Sequence, residues 1–134
     1  MAPVECELAK VVMSENQDRQ VIILEEKEGE RQLPIIIGLF EVFAIHRFLN
    51  NEPPPRPLTH ELVGNIFEAI DADIEKVIVN DLKDMTFYAS LFIEQDGASY
   101  EVDSRPSDGI ALAVQASAPI LVEESVLEEA AQEP

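Results

Sequence analysis

Three consecutive prolines, Pro53, Pro54 and Pro55, stand near the middle of this 134-residue chain. Proline lacks a backbone N–H and fixes φ, so neither a helix nor a central strand runs through such a triplet. The chain is therefore built as two halves joined by a stiff connector. Neither half is long enough to bury a comfortable core alone, whereas the whole length suits one domain that buries roughly two-thirds of its unfolded surface. The expectation is a single compact domain with a core shared across the connector.

Hydrophobic periodicity places the elements on each side. Val4–Met13, Gln20–Leu24 and Gln32–Ile37 read as strands, separated by the polar stretch Ser14–Arg19 and the charged stretch Glu26–Arg31. These three form a meander. Gly38 breaks the pattern, and Phe40, Phe43, Ala44 and Phe48 then recur at helical spacing over Leu39–Leu49. Beyond the prolines, Thr59 is a good N-cap for a second helix whose apolar stripe is Leu62, Val63, Ile66, Phe67 and Ile70. Ile74–Leu82 and Thr86–Glu94 read as strands, and Asp96-Gly97 is a hairpin signal before the returning strand Ser99–Asp103. Pro106 suits the first turn of a third helix that Pro119 ends. Ile120–Val122 is short enough for an edge strand, and Glu123–Gln132 suits a last acidic helix, frayed at its end. The order β-β-β-α-α-β-β-β-α-β-α predicts an α+β fold, a largely antiparallel mixed sheet packed with three to four helices.

Charge removes some functions from consideration. Nine Lys and Arg against 27 Asp and Glu leave a net charge of −18. That excludes a generally basic surface of the kind that wraps nucleic acid, and it opposes docking on anionic membranes. No apolar stretch approaches the roughly 20 residues that span a bilayer. The only cysteine, Cys6, has no partner for an internal disulfide and sits in an apolar strand, which suits a buried thiol and a cytoplasmic location.

Two short segments gather chemistry-bearing residues: Arg56-Pro57-Leu58-Thr59-His60-Glu61 and Asp103-Ser104-Arg105-Pro106-Ser107-Asp108-Gly109. Each sets Arg-Pro just before a helix, where unpaired N–H groups and a planar guanidinium suit phosphate or carboxylate oxygens. His60 with Asp103 and Asp108 could hold a hard divalent cation or relay a proton. Glu41, three residues after Gly38, either approaches the same site or only occupies the first turn of its helix. A purely structural reading competes. In it, Arg56 pairs with Asp108, or Arg105 with Glu61, while Thr59 and Ser107 serve only as caps. His46 reads as a surface or interface histidine, and the phenylalanines at 40, 43 and 48 as core or subunit interface.

The same segments resemble a known family. Leu33-Pro34-Ile35-Ile36-Ile37-Gly38 with Glu41 and Ala44-Ile45, then Arg56-Pro57-Leu58-Thr59-His60, then Phe87-Tyr88-Ala89, then Asp103 through Ala113, then Ala118-Pro119-Ile120, are similar in content and order to the bifunctional nuclease domain family. Val42 and Gln115 stand where that pattern commonly has a small and a basic residue. The match covers about residues 1–125 and leaves 126–134 as an acidic C-terminal tail. The resemblance implies a compact α+β domain, of bacterial type, with nuclease activity toward RNA and DNA. It implies site residues Glu41, Arg56, Thr59, His60, Asp103, Arg105, Ser107 and Asp108. In the reading adopted, Asp103 and Asp108 with Glu41 hold Mg or Mn, His60 is general acid or base, and Arg56 and Arg105 bind phosphate beside the hydroxyls of Thr59 and Ser107. Nucleic acid would be a weakly bound substrate, no membrane is expected, and the chain is expected to form a homo-oligomer, a dimer first. The alternative is a non-enzymatic oligomeric domain for a protein partner or a small anionic metabolite.

Overall fold

The computed structural model describes residues 2–14 and 19–132. Most of the expected turn at Ser14–Arg19 therefore lies outside the described residues. Strands β1 (Val4–Val12), β2 (Arg19–Glu26) and β3 (Gln32–Gly38) form the expected antiparallel meander. Helices α1 (Leu39–Asn50) and α2 (Thr59–Ala69) flank the proline connector. Strands β4 (Asp73–Lys83), β5 (Thr86–Gln95) and β6 (Ala98–Ser104) make a second meander, followed by α3 (Pro106–Ala116), β7 (Ile120–Val122) and α4 (Glu124–Ala130). All seven strands join one sheet in the order β3-β2-β1-β7-β4-β5-β6. The fold is α+β, a single domain with a mixed sheet and four helices.

Two-residue turns set the register of the second meander. Asp84 and Met85 connect β4 to β5 with φ of 50° and 63°, and Asp96 and Gly97 connect β5 to β6 with φ of 53° and 81°. Positive φ at both central residues matches the right-handed twist of the flanking strands. Strand β7 corrects the edge-strand expectation. It lies at the centre, antiparallel to β1 and parallel to β4, with Val122 fully buried. Three residues suffice there because each side of the strand is paired and the apolar side chains enter the core. Strand β7 thus joins the two meanders into one sheet.

The core confirms the shared interior. Ile22, Leu24, Leu33, Val77, Val79 and Val122 from the sheet meet Val42, Ile45 and Ile110 from the helices, all at zero exposure. Helix α3 is the buried axis of the helical layer, resting on β4 and β5 with α1 and α2 packed against it. Gly109 allows this approach, since a Cβ there would sit 2.8 Å from Val77 Cγ2. Gln115 similarly lies over Gly64 where α2 meets α3.

Other apolar positions depart from expectation. In α1 the core is filled by Val42, Ala44 and Ile45, while Phe40 is 81% exposed and Phe48 packs only partly. In α2 the stripe divides: Val63 and Phe67 reach the core, whereas Leu62, Ile66 and Ile70 stay about half exposed. The segment from 126, set apart above as an acidic tail, carries Val126 and Leu127 into the core. Arg31 grips Glu124 through both terminal nitrogens, at 2.6 and 2.9 Å, and also pairs with Glu26. Gln132 exchanges backbone hydrogen bonds with Gln32. Cys6 is buried, and burial pushes its thiol up to about 11. Among the described residues no helix is long and apolar enough to cross a membrane.

Candidate functional site

The two Arg-Pro segments meet at the end of the helical layer. Helix α2 begins at Thr59, and its N-cap is Leu58, whose carbonyl accepts from Leu62 N–H at 2.8 Å. Thr59 is therefore the first helical residue and not the cap, which places His60 in the first turn, toward α3. Helix α3 begins at Pro106 with Arg105 as N-cap, so Asp108 falls in its first turn, where a carboxylate suits the exposed N–H groups. Helix α1 supplies Glu41 from its own first turn. Gly38 lets that carboxylate fold back, because a Cβ there would lie 2.8 Å from Glu41 Oε1.

These positions produce a continuous polar chain. His60 Nε2 lies 2.8 Å from Asp108 Oδ1. Arg105 Nε donates to Asp108 Oδ2 at 2.9 Å, and Arg105 Nη2 lies 3.0 Å from Glu41 Oε1. The His60 and Glu41 side chains are largely enclosed, at 12% and 10% exposure, while Arg105 is 66% exposed. Asp108, hydrogen-bonded to Arg105, raises the guanidinium further above its ordinary value, so it stays charged. Among the described residues, Arg105 Nη1 and His60 Nδ1 have no partner. The chain opens on a groove of about 860 Å³, whose walls include Phe40, Thr59, Leu91 and Leu112. That volume falls within the roughly 300–1,000 Å³ of small-molecule sites.

Other candidates are placed differently. Asp103 borders the groove, but it pairs with Ser90 in the register while Val102 pairs with Leu91. Alternation along β6 thus turns Val102 toward α3 and Asp103 toward the other face. Arg56 is exposed, has no partner among the described residues and does not line the groove. Ser107 is 5% exposed and lines a separate cavity. Neither structural pairing considered from sequence occurs: Arg105 takes Asp108 and Glu41, and Glu61 is taken by Arg47.

Sequence reasoning missed Arg47. Its Nε and Nη2 donate to the two Glu61 oxygens at 2.8 and 3.0 Å, clamping α1 to α2 beside the groove. Arg47 holds the Glu61 carboxyl below the usual carboxylate range. No local signal marks this pair, because its partners sit on two helices separated by the proline connector.

A divalent cation fits this arrangement poorly. Hard cations need several unencumbered oxygens. Here Glu41 faces Arg105, and Asp108 faces both Arg105 and His60. Among the described residues no three His, Cys, Asp or Glu side chains group so as to hold a metal ion. What the chain can do is position a histidine, keep one ring nitrogen available, and present guanidinium N–H groups to an anion.

Comparison with known proteins places the chain in a family. Residues 22–134 match the model of the bifunctional nuclease domain. An uncharacterized protein of Mycobacterium tuberculosis, found in strains CDC 1551 and H37Rv, is 37% identical over 126 residues, covering 94% of this chain and 75% of that protein. Bifunctional nuclease 2 of Oryza sativa subsp. japonica is 28% identical over 116 residues, covering 84% of this chain and 36% of the rice protein. With a family model spanning most of its length and a relative 37% identical across 94% of it, the chain belongs to the bifunctional nuclease domain family.

Proposed function

We propose that the groove hydrolyses phosphodiester bonds of nucleic acid, with His60 as general base. The observation that carries this reading is the hydrogen bond between His60 Nε2 and Asp108 in the groove wall, which leaves His60 Nδ1 and Arg105 Nη1 without a partner among the described residues. In the tautomer with a proton on Nε2, Nδ1 accepts a proton from water as the water oxygen attacks phosphorus. Asp108 holds the ring and stabilises the imidazolium that forms. Arg105 Nη1 donates to the non-bridging oxygens as charge gathers there. The leaving ribose oxygen takes its proton from solvent. The Thr59 hydroxyl, in the groove wall, orients the phosphate. Arg56, three residues earlier, meets a phosphate farther along the strand. Mg or Mn acts in this scheme by screening the like charges of protein and substrate.

The test is turnover of RNA and single-stranded DNA by purified protein, with Mg, with Mn and with a chelator at raised monovalent salt. Activity should survive chelation and fall about 10²–10⁴-fold in His60→Ala, the usual worth of a general base. Asp108→Asn should lose nearly as much, because the ring loses its orienting carboxylate. Activity unchanged in His60→Ala would refute the assignment.

A second reading, a non-enzymatic oligomeric binding domain, is favoured by one observation. Phe40 is 81% exposed on α1, and Leu62 and Ile66 of α2 and Ile70 at its C-cap are each about half exposed, apolar area of the kind that marks association surfaces. It predicts no turnover under any of these conditions, and a dimer by light scattering that Ile66→Glu converts to monomer.

A further inference from the structure

We propose that a second cavity, on the far side of Arg105 from the His60 groove, binds a phosphomonoester carried on an aromatic body, a nucleoside monophosphate or the phosphorylated 5′ end of an oligonucleotide. The cavity is about 600 Å³ and lies between β3, the β4–β5 hairpin and the start of α3. Its charge is unlike that of the rest of the molecule. In a chain with 27 acidic and nine basic residues, its only charged lining residues among those described are Arg19 and Arg105. Arg19 opens β2 and makes no ion pair with any described residue.

Two further features converge on an anion. At the start of α3, Pro106 has no N–H and Gly109 N–H bonds the Arg105 carbonyl, so the N–H groups of Ser107 and Asp108 are the ones without an intrahelical acceptor; no side chain caps them, and Arg105, Pro106 and Ser107 line the cavity. Ser107 is only 5% exposed, and its hydroxyl makes no hydrogen bond with another described residue. The hydroxyl is not sealed off: the surface it keeps opens on the cavity, where a ligand oxygen can reach it. A phosphate oxygen would accept from Ser107 Oγ and from the helix N–H groups, with Arg19 as the counter-charge. Arg105, already held by Asp108 and Glu41, adds only its field.

The remaining wall specifies the body of the ligand. Ile36 and Met85 are 61% and 95% exposed, and with Pro34, Leu82 and Phe87 they make an apolar surface beside the cationic end. A base or another flat ring covers such a wall while its phosphate reaches the helix start. The inference stands apart from the hydrolase reading, since none of the groove's proton-transfer groups takes part.

Calorimetric titration tests it, with inorganic phosphate, AMP, adenosine and a 5′-phosphorylated dinucleotide as probes. AMP should bind more tightly than inorganic phosphate, and adenosine should give no heat. Arg19→Gln and Ser107→Ala should each weaken AMP by about tenfold, the worth of one charge-assisted hydrogen bond, with unchanged melting temperature. His60→Ala should leave the AMP affinity within about twofold, well below the 1.4 kcal/mol that makes a factor of ten. A dinucleotide that matches AMP assigns the site to strand ends; one about tenfold weaker assigns it to free mononucleotide. No heat with AMP at about 5 mM, undiminished binding in both variants, or loss of binding in His60→Ala would overturn the proposal.

Discussion

With Oδ1 on His60 and Oδ2 on Arg105, Asp108 ties its near neighbour, three residues away, to a histidine 48 positions away in the chain. Losing either partner leaves a half-buried carboxylate short of one hydrogen bond, so variants at this residue should affect position more than folding. The stability of the neighbourhood rests more on Arg47 and Glu61, whose side chains are only 18% and 14% exposed. Arg47→Ala strands a mostly buried carboxylate, at a cost of about 1–3 kcal/mol. For a chain of this size that lowers the melting temperature by roughly 4–12 °C. Arg56→Ala, which breaks no hydrogen bond or ion pair among the described residues, should leave it unchanged. The pH dependence follows from the depressed Glu61 carboxyl. The unfolded chain takes up this proton before the folded one does, so the contribution is complete at neutral pH. It is lost as pH falls below about 4. Melting curves of the native protein and Arg47→Ala should therefore converge in acid. Residue types were legible from sequence, but long-range partners were not: Arg105 and Asp108 are three residues apart at one helix start, whereas Glu41 and His60 join them only when three helices come together.

Helix α3 couples packing to the site. Its first turn carries Asp108, and one residue later Gly109 sits against β4, with positions for a Cβ 2.8 Å from Val77 Cγ2 and 3.1 Å from Ser104 Oγ. Gly109→Ala should cost about 1–3 kcal/mol through overpacking and should also lower turnover, because relief of the clash moves the helix start. Gly97 is the control. Its φ is +81° and a Cβ there meets nothing, so Gly97→Ala carries backbone strain alone, about 1 kcal/mol, with turnover unaffected. Thermal melts and steady-state rates on both variants separate the two effects. At this scale the sequence was informative wherever local chemistry decides: the prolines, Asp96-Gly97, Pro106 and the alternation of β5. It was uninformative for β7, where three apolar residues look the same in an edge or a central strand, and the pairing depends on segments far away.

The whole molecule opposes its proposed substrate. A net charge of −18 repels nucleic acid, and only a few arginines attract it locally. Most nucleic-acid-binding proteins lose affinity steeply with added salt as counterions are released. Here screening of the long-range repulsion should outweigh loss of the few phosphate contacts, so kcat/KM for RNA should stay level or rise as monovalent salt increases to about 0.15 M, where the Debye length is about 8 Å. A steep decline across that range would mean a phosphate-binding surface larger than the one described.

Hydrophobic period, proline and glycine placement and charge count are properties of neighbouring residues, and they were enough to determine the α+β class, the succession of elements and the two segments where polar chemistry gathers. Tertiary structure alone decided that those segments share one groove, that Asp103 turns to the other face, that Ser107 lines a different cavity, and that Phe40 stays out of the core. Each of these depends on contacts between residues distant in the chain, and such contacts are set by the packing of α1, α2 and α3 on the sheet, for which the local pattern carries no signal.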